Sequence, residues 1–144
     1  MTHSNLALPQ TLYHGTDVEF DVFQPSPSGL FCSGIYLTTG ELDAQQYGDV
    51  LMKVGVDMKR PFYTVADYDA GEAIDFDSPA VPFIREVFGR KAKAILKKAI
   101  HGDGNFGQEV QNALEAVGHD GVIVRWPDGL LHVIAFYPDQ VWKI

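Results

Sequence analysis

Short β-like segments lie at both ends of this 144-residue chain, and most of the helical segments lie between them. The clearest strand is predicted over 50–59 ("VLMKVGVDMK"), where residues suited to a buried face alternate with others at a period of two. Further strands are predicted over 11–16, 30–39, 121–126, 130–136 and 140–144. Because these short strands flank the helices, we predict an α+β fold in a single domain over residues 1–144.

Three segments have helical patterns. A short helix is predicted over 40–48, closed by Gly48. The apolar spacing over 81–100 predicts one helix, or two if Gly89 divides it. A further helix over 105–117 is expected to stop at Gly118. The acidic residues 61–80 predict a loop with a helical turn.

Charge and composition exclude several classes of function. The net charge of −8 argues against general nucleic-acid binding, although six of the eleven Lys and Arg residues lie between Arg85 and Lys98. That basic face either docks an acidic partner or a phosphate chain, or is an ordinary solvated helix surface. The single cysteine, Cys32, forms no internal disulfide, and the five scattered histidines predict no metal site. We expect no membrane span and no signal peptide, and therefore a cytoplasmic protein.

Three residues stand out as candidates for binding a flat ligand. His14 ends a β-like run and precedes Gly15, whose missing side chain permits close approach of the backbone to a ligand. Tyr36 and Tyr47 lie eleven positions apart, at the two ends of a strand–helix unit. Each residue alone also fits a structural role, because histidines and aromatic pairs commonly pack in cores.

Taken together, the motifs resemble one family. "YHGT", "GIYLTTGELDAQQY" and the closing "VIAFYPDQVWKI" are similar to the ADP-ribosyltransferases of the diphtheria-toxin and poly(ADP-ribose) polymerase branch. "GHDGVIV" followed by "FYPDQV" resembles the small bacterial and phage members of that branch. The resemblance implies a split β-sandwich of two small antiparallel sheets with flanking helices. It leaves residues 60–100 unaccounted for.

The resemblance also implies roles for individual residues. His14 would bond the adenosine ribose of NAD, Gly15 the nicotinamide carboxamide, and Thr16 would add a hydroxyl near the ribose. Tyr36 and Tyr47 would hold the nicotinamide ring between their faces. The reaction would pass through an oxocarbenium-like state, which nearby negative charge or a hydrogen bond to the ribose stabilises.

The sequence departs from the family pattern at one position. Where the family has a glutamate at the head of a strand, this chain has His132. We therefore expect the catalytic residues to be His132, Tyr36 and His14, with a neutral His132 bonding a ribose hydroxyl. A relocated carboxylate, Asp128 or Glu109, is the alternative source of negative charge, and loss of catalysis is another. Chain elongation is not expected without the glutamate.

The sequence thus predicts an NAD-dependent mono-ADP-ribosyltransferase that transfers one unit to a protein, nucleic-acid or small-molecule acceptor. NAD is the expected co-substrate, with no metal. The alternatives are a catalytically degenerate module that binds NAD or ADP-ribose or inhibits a partner, an NAD glycohydrolase, or a relative acting on RNA-linked phosphate. A toxin or effector of this kind would act in the cytoplasm of its target cell.

Overall fold

The computed structural model describes residues 8–9 and 11–144 of the chain. In this part, the strands are β1 (Leu12–Thr16), β2 (Ser28–Gly29), β3 (Ile35–Thr38), β4 (Val50–Val56), β5 (Phe62–Val65), β6 (Phe106–Gly107), β7 (Gly121–Arg125), β8 (Leu131–Ala135) and β9 (Val141–Lys143). The α-helices are α1 (Glu41–Gln45), α2 (Val81–Phe88), α3 (Ala92–Ile100) and α4 (Gln108–Ala116), and short 3₁₀ helices cover Tyr68–Ile74, Gly89–Lys91 and Pro138–Gln140. The predicted mixed α+β class is confirmed.

Seven strands form one sheet in the order β5-β7-β8-β3-β1-β4-β9, and β2 pairs with β6 in a separate two-stranded sheet. In the seven-stranded sheet, β5 and β7 are parallel and all other neighbours are antiparallel. Strands from the two ends of the chain therefore lie side by side, which brings distant segments together at the centre of the sheet.

The seven-stranded sheet is nearly divided between β1 and β3. These two strands are joined by one residue pair, Tyr13 opposite Thr38, whereas β1 pairs with β4 at five successive positions. The halves β9-β4-β1 and β3-β8-β7-β5 correspond to the two small antiparallel sheets predicted from the sequence. They differ from that prediction in sharing one pair and in the parallel strand β5.

Apolar side chains of the central strands pack on both faces of the sheet. Val122, Val124 and Ile134 join the core beneath the helices α2, α3 and α4. Ile123 and Val133, on the opposite face, join a second core with side chains of β1 and β4. Because side chains alternate between the two faces of a strand, single strands contribute to both cores.

The helical segment 81–100 is two helices, and the break lies at the predicted position. Gly89 ends α2 with φ 56° and ψ −121°, a backbone conformation that residues with a Cβ rarely adopt. Gly118 similarly follows α4 with φ 91°. In both places, glycine determines where the helix ends.

Two segments differ from the sequence prediction. Residues 61–80 contain the predicted helical turn, as the 3₁₀ helix Tyr68–Ile74, but they also contain the strand β5, which pairs in parallel with β7 some sixty residues later and so has no local signature. The predicted strand over 30–39 begins only at Ile35, because Gly34 adopts φ 141° and the preceding backbone turns away. The residues before Gly34 instead bond to the side-chain hydroxyl of Tyr36.

The basic segment lies on the surface of α2, the following 3₁₀ turn and α3, and all six of its cationic side chains are exposed. Lys98 is paired with Glu109 at 3.1 Å. No helix in the described residues is long and apolar enough to cross a membrane.

Candidate functional site

A cleft opens at the point where β1 and β3 separate. It has a volume of about 260 Å³ and is bordered by β1, β2, β3, α1 and β8. The lining residues are Tyr13, His14, Gly15, Ser28, Gly29, Leu30, Tyr36, Leu37, Thr38, Asp43, Ala44, Tyr47 and His132. The structure therefore brings His14, Gly15, Tyr36, Tyr47 and His132 together at one site, although they span almost the whole chain.

His14 lies on β1 just beyond the single pair that joins β1 to β3. Its Nδ1 is 2.8 Å from the carbonyl oxygen of Tyr36, and a carbonyl can only accept, so Nδ1 carries the proton and donates. The ring also packs edge-on against Phe20 and Phe23. These contacts orient the ring, and in the neutral imidazole they leave Nε2 as an acceptor, which suits a hydroxyl donor in the cleft.

The hydroxyl of Tyr36 is held by the turn that precedes its own strand. It accepts hydrogen bonds from the backbone N–H of Phe31 and Cys32, at 3.1 and 3.0 Å, and donates to the Cys32 carbonyl at 2.7 Å. Burial raises the pKa of Tyr36 well above its usual range, so the hydroxyl stays protonated. The ring is therefore a rigid wall of the cleft.

Two glycines allow this packing. A Cβ on Gly29 would lie 2.5 to 2.8 Å from the Tyr36 ring and hydroxyl, so only glycine permits β2 to pass so close. A Cβ on Gly15 would lie 1.7 Å from the carbonyl oxygen of Ala44. Because Gly15 has no side chain, α1 can pack directly against β1. The backbone of Gly15 also borders the cleft.

Tyr47 follows α1 and is 64% exposed, in contrast to the anchored Tyr36. Within the described part of the chain, no aromatic contact joins the two tyrosines, yet both border the same cleft. Burial raises the pKa of Tyr47, and the negative charge of Asp43 raises it further. A fixed ring and an exposed ring thus leave space for a flat group between them.

His132, on β8, has hydrogen bonds at both ring nitrogens. The indole N–H of Trp126 donates to Nδ1 at 3.1 Å, so Nδ1 is unprotonated and Nε2 carries the proton. Nε2 then donates to Oδ2 of Asp43 at 2.7 Å. The side chains of His132 and Asp43 are only 10% and 18% exposed. A neutral imidazole therefore links a largely buried carboxylate to the sheet.

The remaining sequence candidates lie elsewhere. The hydroxyl of Thr16 bonds the backbone of Val18 in a local turn, and Thr16 does not line the cleft. Asp128 accepts from the Leu130 N–H in the turn between β7 and β8, and Glu109 is paired with Lys98. Asp120, in the "GHDGVIV" motif, accepts from the backbone N–H groups of residues 59 and 60.

Asp43 is the cleft carboxylate that sequence reasoning missed. It lies four residues before Tyr47 in the helix predicted over 40–48, a spacing that would put the two side chains on one helix face, so the sequence indicated only that they could share a surface. Its partner His132 is 89 positions away, and no local pattern connects them. Among the described residues, no group of three or more His, Cys, Asp or Glu side chains is placed to hold a metal ion.

His14 on one half of the split sheet and Tyr36 on the other half border a cleft that α1 also lines, which is the arrangement implied by the resemblance to ADP-ribosyltransferases. The family described as "ADP-Ribosyltransferase in polyvalent proteins" matches residues 7–144, and the chain belongs to this family. No curated protein sequence matches the chain. Among solved structures, the crystal structure of an anti-CRISPR protein is similar over 93% of this chain and 94% of that chain, with 23% identity and a TM-score of 0.45.

Proposed function

We propose that this chain is an NAD-dependent mono-ADP-ribosyltransferase. The observation that carries the proposal is the convergence of His14, Gly15, Tyr36, Tyr47 and His132 on one cleft, since only Thr16 of the six expected site residues lies outside it. Family membership supports transferase chemistry with NAD as the co-substrate.

The cleft fits the nicotinamide half of NAD. Its volume of about 260 Å³ is just below the ~300–1,000 Å³ typical of pockets for drug-sized ligands, so the rest of a dinucleotide would extend across the mouth. The nicotinamide ring would stack on Tyr36, whose position is fixed, with Tyr47 closing on the other face. The Gly15 backbone would bond the carboxamide, and Nε2 of His14 would accept from a hydroxyl of the adenosine ribose.

In this pose the protein orients NAD for the step in which the bond to nicotinamide breaks. The bond between C1′ of the ribose and the nicotinamide nitrogen breaks, and its electron pair leaves with neutral nicotinamide. An acceptor group then bonds C1′ and releases its proton. Holding the leaving group against a rigid ring restricts it to a reactive geometry, which is a recognised source of rate enhancement.

To test this proposal, the purified chain is incubated with a cell lysate and with NAD labelled in the adenylate. The mixture is then separated into protein, nucleic acid and small molecules. We expect label in one acceptor fraction and an equal release of nicotinamide, both abolished by Tyr36→Ala. Release of nicotinamide with free ADP-ribose as the product would identify a glycohydrolase instead. Binding of NAD without any release would favour the binding module, and absence of binding would contradict the proposal.

A further inference from the structure

Negative charge in the cleft would stabilise a cationic transition state. Breaking the bond to nicotinamide leaves positive charge on the ribose ring, and a carboxylate nearby lowers the energy of that state. Of the described residues that line the cleft, Asp43 alone has a carboxylate, and none is a lysine or an arginine. The charge of Asp43 is therefore not neutralised by a cationic side chain of the lining.

His132 is poorly placed to interact with the ribose itself. Its Nε2–H is used by Asp43 and its Nδ1 lone pair by Trp126, so neither nitrogen is free for a substrate hydroxyl. The Trp126 ring is in turn packed against Tyr68 and Phe31, with ring centroids 5.8 and 6.1 Å away. This chain of contacts fixes both the tautomer and the orientation of the imidazole.

We propose that Asp43 is the catalytic carboxylate of this cleft and that His132, oriented by Trp126, is the positioning residue that holds it. The inference rests on the proposed function and names the group that carries the charge. As the C1′–N bond breaks and the electron pair leaves with nicotinamide, ionised Asp43 offsets the charge on the ribose. The acceptor then forms its bond to C1′ and loses a proton to solvent.

The first test is Asp43→Asn in the full chain. The amide keeps the size of the side chain and an oxygen that accepts from Nε2 of His132, but it removes the charge. We expect the kcat for nicotinamide release to fall at least about 100-fold, the usual effect of removing one transition-state stabiliser. The dissociation constant for NAD, measured by calorimetry, should change less than about threefold, because the lost interaction belongs to the transition state.

Two variants are controls for charge and for folding. Asp49→Asn makes the same charge change at an exposed residue outside the cleft lining and should retain the wild-type kcat. Asp43→Glu keeps the charge and should retain more activity than Asp43→Asn. Thermal unfolding of each variant shows whether it is folded. If Asp43→Asn is unfolded, the kcat of Asp43→Glu is compared with that of wild type, and this comparison tests the role of Asp43 instead.

The positioning role has its own test. The side-chain amide of His132→Gln reaches about as far as Nε2 and can still donate to Asp43, whereas His132→Ala cannot. We expect His132→Gln to retain most of kcat and His132→Ala to lose it, with NAD affinity similar in both. Trp126→Phe keeps an aromatic ring but removes the donor to Nδ1, and should shift the ¹⁵N resonance of the His132 Nδ1 and lower kcat about tenfold.

The outcomes separate this inference from the proposed function. A wild-type protein that releases nicotinamide, together with a folded Asp43→Asn that releases it equally fast, overturns the role of Asp43 and leaves the transferase intact. Equal loss in His132→Gln and His132→Ala overturns the positioning role. A wild-type protein that binds NAD and never releases nicotinamide contradicts both the inference and the transferase.

Discussion

His14 donates a hydrogen bond to the backbone carbonyl of Tyr36 at 2.8 Å, across the gap where β1 and β3 stop pairing. A side chain thus connects the two strands at a position where backbone bonds no longer do. Because this bond uses the Nδ1 proton, Nε2 of the neutral ring is left as an acceptor. The same contact therefore holds the halves of the sheet at a fixed separation and orients a candidate ligand group.

Two substitutions of His14 separate these effects. In His14→Asn, the side-chain nitrogen takes the place of Nδ1 and can still donate to Tyr36, while the Nε2 acceptor is lost. We expect His14→Asn to weaken binding of NAD and ADP-ribose by about 1 kcal/mol, the net value of one hydrogen bond to a neutral hydroxyl. His14→Ala should weaken it further and also lower the free energy of unfolding. Nicotinamide alone should bind both variants as it binds wild type, and an equal loss for nicotinamide would place His14 at the other end of the ligand.

Tyr47 provides a clean test of ring stacking because it is 64% exposed. Tyr47→Ala should lower NAD affinity by about 0.5–1.5 kcal/mol, the usual contribution of an aromatic pair, with little change in the melting temperature. Tyr137→Ala removes a tyrosine of 40% exposure outside the cleft and should leave affinity unchanged. Calorimetric titration with NAD measures both, and a Tyr47→Ala protein of full affinity would show that the ring is not part of the clamp.

Gly29 should be intolerant of a side chain because Tyr36 cannot move. The added methyl of Gly29→Ala would lie within 2.8 Å of the Tyr36 ring, whose hydroxyl is anchored at three backbone groups. We expect a loss of about 1–3 kcal/mol in unfolding free energy from overpacking, together with weaker NAD binding. Gly102→Ala, whose Cβ meets no side chain and lies 3.1 Å from one carbonyl oxygen, is the control. Chemical denaturation and titration of both variants provide the comparison.

The protein should lose stability as the pH becomes alkaline. Burial raises the pKa of the Cys32 thiol in the folded state. The protonated thiol therefore contributes fully to the stability of the fold below about pH 8.5, the pKa of the thiol in the unfolded chain, and this contribution decreases as the pH rises above that value. Burial also raises the pKa of Tyr36, which adds a second loss of stability above about pH 10. Each group contributes a slope of up to about 1.4 kcal/mol per pH unit. Denaturation of Cys32→Ala between pH 8.5 and 10 should give a flatter dependence than wild type, and identical slopes would exclude the thiol as the cause.

The helix break offers a test of backbone strain without any packing change. Gly89 has φ 56°, and a Cβ there would meet nothing within 4 Å. Gly89→Ala should therefore destabilise the fold by about 1–3 kcal/mol through conformation alone. Ala94→Gly, at an exposed position of α3, should cost only about 1 kcal/mol through lost helix propensity. Urea unfolding of the two variants checks the order, and an unaffected Gly89→Ala would contradict the strain.

The sequence by itself determined the local elements and the pattern that marks the site. Alternation located β4, because a strand with two faces repeats every two residues, and short β-like runs located β1, β7 and β8. Gly89 and Gly118 located helix ends, because glycine adopts backbone angles that other residues avoid. The spacing of Tyr36 and Tyr47 likewise identified a strand–helix unit whose two rings border one cleft.

The tertiary structure alone decided which carboxylate lies in the cleft and how the rings are held. Asp128 and Glu109 lie elsewhere, while Asp43 is brought to His132 by the pairing of β3 with β8, which places Thr38 opposite His132. The parallel strand β5 was likewise missed, because its partner β7 lies far along the chain. Side-chain periodicity in the sequence indicates which face of a segment is buried. Which side chains from distant segments come into contact depends on the register in which their strands pair.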